Sequence, residues 1–268
     1  MTYQTTIIKL EGYGPWTLGL GSDREYHLQI LQSKIYAELQ ELFSNNNGIV
    51  FSNRFDEFVA VTNKIDVDVH RKIYEQFSKN NEKIGISMTI GIDETPLGSN
   101  KKAHFIKNKK EYLIDSNIYG ANKNEFSELN AIDTKTTMND DYGDCDDVKI
   151  LHMDINNSTA ITSDLSSYEI TNLIINLYSN ISNIFLQEES LAFYLGGDNF
   201  MIIAKKNMTT EKVKEIVDLI TTSTKINLNC GIGNGKTGRK AAEMATKSLD
   251  EIRRIRKNGT IIHVYEAT

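Results

Sequence analysis

Two rhythms take turns along the chain: short blocks rich in β-branched and aromatic residues, and longer stretches in which apolar residues recur every three or four positions. The blocks at residues 5–10, 48–52 and 55–62 read as strands, the last two forming a hairpin, and the stretch at 23–43 reads as a long helix. A helical pattern at 67–79 and a strand at 84–92 complete the order β-α-β-β-α-β, which is the ferredoxin-like arrangement. The second half repeats it, with a strand at 148–153, a helix at 166–187, a hairpin at 191–195 and 200–204, a helix at 211–222 and a strand at 226–232. A helix at 241–256 and a strand at 260–265 close the chain.

The repeat extends to individual residues. Phe55-Asp56-Glu57-Phe58 falls on Gly197-Asp198-Asn199-Phe200, and Thr89-Ile90-Gly91 falls on Gly231-Ile232-Gly233 at the same offset. A tandem duplication of one unit follows. The expected fold class is therefore α+β, with two tandem ferredoxin-like domains. The first spans residues 1–132 and includes an additional helix within 98–130. An Asp-rich linker carrying Gly143 occupies 133–147, and the second domain covers 148–268.

A length of 268 residues suits two such domains, and 40% hydrophobic with 25% charged residues is the composition of an ordinary globular protein. The net charge of −6 argues against broad nucleic-acid binding, which needs clustered cations in excess. Lys101, Lys102, Lys107, Lys109 and Lys110 read as a solvated helix face. Cys145 and Cys230 are too few and too far apart for a disulfide framework. The N-terminal residues lack the pattern of a secretion signal and no run reaches membrane-spanning length, so the expectation is a cytoplasmic protein without a membrane partner.

The chemistry concentrates in the second half. Asp154 ends its first strand in the run LHMDINNST, and Asp198 lies in the hairpin turn of LGGDNF. Adjacent strands bring the two carboxylates together, which is costly without a cation, and oxygen ligands favour magnesium. Gly196 and Gly197 permit a tight turn and close backbone approach, while the amides from Ile155 through Asn156, Asn157 and Ser158 lie at a strand-to-helix turn suited to phosphates. Gly233-x-Gly235-x-x-Gly238 meets the dinucleotide fingerprint formally, but too few residues follow to build that domain. Lys236, Arg239, Arg253 and Arg254 are candidates for phosphate contact or for plain solvated charge.

Paired in this way, Asp154 and Asp198 resemble the metal site of nucleotide cyclases and polymerase palm domains. In the related GGDEF cyclases a glutamate follows the hairpin aspartate, where this chain has Asn199. The ordered series Tyr13-Gly14-Pro15-Trp16-Thr17, then RFDEFVAVTN, DETP, HMDINN, GGDNFM and GIGNGKTG, resembles archaeal GTP cyclohydrolase type III over nearly the whole chain. Glu11 and Gly12 depart from that family's Asp-Asn before the Tyr-Gly-Pro-Trp run.

The resemblance implies hydrolytic opening of the guanine imidazole ring of GTP to a formylamino-pyrimidine ribosylamino monophosphate, with release of two phosphates, upstream of a flavin or deazaflavin. It also implies magnesium as a pair of ions, activation by a monovalent cation, and a homo-oligomer, dimer or tetramer. On this reading Asp154, Asp198 and the backbone of Ile155 hold metal, and Glu11, Asp56 and Glu57 are candidates for the general base. Trp16 stacks on guanine and Arg54 meets phosphate, while Asn156, Asn157, Gly196, Gly197, Asn199, Lys236, Arg239 and Arg253 line the substrate. His27, His70, His104, His152 and His263 show no zinc spacing with either cysteine. Two alternatives stay open, a cyclase-like nucleotidyl transferase and a non-catalytic GTP-binding module.

Overall fold

The computed structural model describes residues 2–109, 112–120 and 147–267. Lys110, Gly143, Cys145 and the linker expected at 133–147, apart from Asp147, lie outside the described residues. The chain divides into two compact units, one holding residues up to 94 and from 98 to 120, the other residues 95–97 and those from 147 on.

In the first unit the elements are β1 (Tyr3–Glu11), α1 (Tyr13–Gly19), α2 (Arg24–Asn45), β2 (Ile49–Arg54), β3 (Glu57–Val61), α3 (Val67–Asn80), β4 (Gly85–Asp93), α4 (Pro96–Lys109), β5 (Leu113–Asp115) and β6 (Ile118–Tyr119). The sheet order is β2-β3-β1-β4-β6-β5, and its first four strands pair antiparallel in the ferredoxin-like order. Strand alternation sends Ile8 and Leu10 to one face, where they meet Ile35, Leu39 and Phe43 of α2 and Ile73 and Phe77 of α3. Thr5 points to the other face and bonds Ser99 of α4 at 2.6 Å.

The second unit contains β7 (Val148–Ile155), α5 (Ser158–Thr162), α6 (Ser167–Gln187), β8 (Leu191–Gly196), β9 (Asn199–Ala204), α7 (Thr210–Thr224), β10 (Leu228–Gly235), α8 (Gly238–Lys257) and β11 (Val264–Glu266). Its order, β11-β10-β7-β9-β8, repeats the first unit's, with β11 added parallel to β10. Leu151, Met153 and Ile155 pack against α6 and α7. Ser166 and Glu169 close a capping box at the start of α6. Among the described residues no helix is long and apolar enough to cross a membrane.

Strand register makes the duplication concrete. Ile8 faces Phe58 as Met153 faces Phe200, and both hairpins carry a register slip beside a two-residue turn. Counting along, Lys9 stands where the second unit has Asp154, and Glu57 where it has Asn199. Both short helices, α1 and α5, are entered through a left-handed residue, Gly12 at φ 71° and Asn157 at φ 58°.

Several boundaries differ from the sequence reading. α1 and α5 replace expected turns; at seven and five residues, with only Tyr13, Trp16 and Ile161 partly buried against the cores, neither repeats an apolar stripe to read. The stretch from 98 holds the hairpin β5–β6 as well as a helix, and the last strand shrinks to three residues. β10 runs on to Gly235 through a glycine-rich segment that reads as a loop, because α8 lies against its backbone.

Candidate active site

The site of the second unit lies on the α8 face of the sheet. A Cβ on Gly231 or Gly233 would collide with the backbone of α8 around Ala245, and one on Gly235 would stand 2.6 Å from the Ala241 nitrogen. These glycines serve close helix packing, which accounts for the apparent dinucleotide fingerprint. α8 then returns along the sheet, and its last turns hang over the end of β7.

There Asp154 is buried at 4% exposure. Asn229 on β10 donates its Nδ2 to Asp154 Oδ1 at 2.8 Å, and Arg253 of α8 donates to Oδ2 at 2.6 Å. Arg253 also holds Asp250 at 2.9 Å. Arg256, one turn on, donates at 2.5 Å to both Asn156 and Asn229. A buried carboxylate needs a paired cation and hydrogen bonds, and Arg253 with Asn229 supplies both.

On the other side of β7, Asp154 faces Asn199, the first residue of β9. Asp198 precedes it in the turn, whose glycines Gly196 (φ 105°) and Gly197 (φ 60°) take up the backbone conformations that side-chain-bearing residues avoid. Asn199 donates to Asp198 at 3.2 Å. Ile155, the last residue of β7, is buried, and Asn157 is exposed at the entrance of α5. The expected group of Asp154, Ile155, Asn156, Asn157, Gly196, Gly197, Asp198, Asn199 and Arg253 therefore gathers at one sheet end.

Lys236 and Arg239 do not join it. Asn229 pairs with Asp154 and Gly235 with Val148, so Lys236 lies at the opposite end of β10, about 20 Å away at the usual strand rise. The sequence suggests phosphate contact for these two residues because a basic, glycine-rich loop looks alike at either end of a strand. Asn229, Asp250 and Arg256 have no local signal: the pairing of β10 with β7 sets Asn229 beside Asp154, and the return of α8 brings the other two.

The first unit shows the same frame with other contents. Lys9 replaces the aspartate. Glu57 is buried; burial alone would raise its carboxyl pKa, but Lys107, Arg54 and Asn53 together draw it below the ordinary range. Asp56 lies in the turn with Arg54 at 3.7 Å, and Glu11 accepts from Ser87 Oγ at 2.6 Å. Arg54 also pairs with Glu57 at 3.0 Å and is thus engaged by two carboxylates. Trp16 sits on α1 beside Tyr13 and borders a cleft of about 350 Å³ together with Leu31, Lys79, Lys83 and Ile84.

The model of the family described as GTP cyclohydrolase III matches residues 1–266. The chain belongs to the GTP cyclohydrolase III family. Among relatives of that name, the Methanobrevibacter smithii protein is 36% identical over 252 residues, 93% of each chain. The Methanocaldococcus jannaschii protein is 35% identical, over 93% of this chain and 88% of its own. Among solved structures, a GGDEF domain from Pseudomonas aeruginosa covers 46% of this chain and 78% of its own at 19% identity and a TM-score of 0.38. The active GGEEF domain of a Vibrio cholerae diguanylate cyclase gives 14% identity and a TM-score of 0.36, over 46% and 85% of the two chains.

For a GTP cyclohydrolase III chain the donor set of the second unit suits a hard cation. Among the described residues no three or more His, Cys, Asp or Glu side chains converge, so what β7 and the hairpin offer is two carboxylates with backbone oxygen. The guanidinium of Arg253 already occupies the place of a cation beside buried Asp154.

Proposed function

We infer that this chain is a metal-dependent GTP cyclohydrolase that opens the imidazole ring of GTP and releases its two outer phosphates. The reading rests on the family, and the observation that carries it to particular residues is the buried Asp154, paired with a cation and next to the hairpin bearing Asp198. In the overall reaction one water adds across the C8–N9 region of the ring with retention of the formyl group, and one water cleaves each phosphoanhydride. The family name supports GTP as substrate; magnesium is supported by the all-oxygen donors.

Asp154 and Asp198 would hold the metal, most simply as two ions, with a monovalent cation as an additional activator. Bound there, magnesium supplies charge neutralisation for the triphosphate and a more acidic water. Arg253 is half exposed and tied to Asp154 by 2.6 Å, so it exchanges one anion for another when a phosphate arrives. Asn157 caps the head of α5 and is proposed to meet the phosphates with its amide, while Asn156, whose N–H is donated to the Asn227 carbonyl at 2.8 Å, would approach them through its side chain. Glu11, Asp56 and Glu57 stay proposals for the base: Glu57 is buried in ion pairs, whereas Glu11 is partly exposed and accepts a hydrogen bond from Ser87. Trp16 is proposed to meet the guanine, supported by its open cleft. Self-association belongs to the same proposal, supported by Tyr168, Ile175 and Leu186 exposed along α6.

The test is incubation with GTP and magnesium, following purine absorbance and the product mass. Loss of the purine band with a formylamino-pyrimidine monophosphate and two phosphates is expected; a cyclic nucleotide or intact GTP rejects it. Asp198→Asn is expected to cut turnover at least about a hundredfold, and undiminished turnover refutes the metal role.

A further inference from the structure

His152 lies two residues before Asp154 on β7, on the same face, and is not among the groups proposed to touch metal or substrate. Its Nε2 is 3.2 Å from Asn199 Oδ1, and its Nδ1 is 3.0 Å from the hydroxyl of Thr246 on α8. Asn199 in turn reaches Asp198 Oδ1 with its Nδ2 at 3.2 Å.

Hydrogens can be assigned along this chain by elimination. An ionised carboxylate only accepts, so the amide of Asn199 turns Nδ2 toward Asp198 and Oδ1 toward His152. Oδ1 needs an N–H, so Nε2 carries a proton. With the ring neutral, Nδ1 accepts from Thr246; with both ring nitrogens protonated, Nδ1 donates to Thr246, whose hydroxyl then turns to the Ala242 carbonyl at 3.1 Å. The direction of the bonds at Asn199 is the same in either state.

We propose that His152, acting through Asn199, is a positioning residue that fixes the carboxylate of Asp198 for cation binding. The proposal rests on the metal reading of Asp198. Its physical basis is that two glycines at positive φ lead into Asp198, and they leave the turn a backbone freedom that side-chain bonds must remove. It also accounts for asparagine at position 199. A glutamate there has no N–H for Asp198 and would set a second negative charge beside it. The first unit shows the contrast: Ile7 stands at the place of His152 and Glu57 at that of Asn199, and Lys107 from α4 neutralises the glutamate directly.

Mn²⁺ binding to the GTP-free protein, read from the paramagnetic resonance signal of the free ion, tests the relay without turnover. His152→Leu is expected to weaken binding about tenfold, and His152→Gln, whose amide N–H replaces Nε2–H, to return within about threefold of the wild type. Asn199→Ala should lose about as much as His152→Leu, and the double variant no more than Asn199→Ala alone, as expected of residues acting in series. Additive losses, or His152→Leu within about twofold of the wild type, overturn the proposal. If the leucine variant does not fold, weak binding by Asn199→Ala with recovery in His152→Gln supports it, and any other pairing overturns it. Asp198→Asn separates the two readings: unchanged binding there overturns the metal reading and the relay with it, whereas loss there without loss in His152→Leu overturns the relay alone.

Discussion

His70 gives the first unit a built-in dependence on pH. Its ring is fully buried beside Phe43, at the end of a polar chain through Thr6, Thr62 and Gln4. Nδ1 lies 2.7 Å from the Asp66 carbonyl, an acceptor, so Nδ1 carries the proton and Nε2 accepts from Thr6 Oγ1 at 2.8 Å. Burial pushes the ring's pKa down from 6.5 to about 4, against the smaller opposing pull of Asp66. The unfolded chain therefore binds a proton that the folded chain refuses between those values. Stability is fully present above about pH 6.5 and declines as the pH falls, the whole contribution being gone near pH 4. At pH 5 the two pKa values differ in protonation by about thirtyfold in the linkage ratio, which is about 2 kcal/mol. Trp16 is the chain's one tryptophan and lies in this unit, so urea unfolding followed by its fluorescence reads the relevant transition. Between about pH 7.5 and 5 the wild type should lose about 2 kcal/mol more than His70→Gln does. Equal losses in the two proteins would refute the buried neutral ring.

Three other outcomes follow from the site. Arg253→Ala removes the cation from buried Asp154; because the arginine is half exposed and Asn229 still donates to the carboxylate, the GTP-free protein should lose about 1 kcal/mol and recover more of it from added magnesium than the wild type gains, as read by thermal denaturation. Gly233→Ala drives a methyl into the backbone of α8 and should cost about 3 kcal/mol or prevent soluble expression, because neither strand nor helix backbone can yield. Lys236→Ala and Arg239→Ala, at the far end of β10, should leave kcat/KM for GTP within about twofold of the wild type; a loss of tenfold, or about 1.4 kcal/mol, in either would show that this end also meets substrate.

Much of this organisation is legible in the sequence because period and punctuation survive duplication. The paired strands and amphipathic helices follow from alternation, and the shared offset of RFDEF and GGDNF locates both hairpins. The two aspartates stand out because each sits at an element end, flanked by turn residues. What escapes has no local signature. Asn229 is an ordinary strand residue until β10 pairs with β7, and Arg256 an ordinary helix residue until α8 folds back on the sheet, so their roles are properties of the pairing and the crossing rather than of their neighbours in sequence. α1 and α5, seven and five residues long, are too short to carry a pattern that periodicity can detect. The glycines of β10 mislead in the opposite sense, since a backbone shaved for helix contact and one shaved for phosphate contact have the same sequence.

Lys9 in the position of Asp154 means that the two copies of the fold carry opposite charge at the same point of the frame. A lysine there sets a positive charge where the second unit has a buried carboxylate, and Glu57, in the place of Asn199, is held by Lys107 and Arg54. One face of each sheet carries the apolar contacts that hold its two long helices, while the face under α4 or α8 combines close helix packing at one end of the sheet with the charged groups at the other.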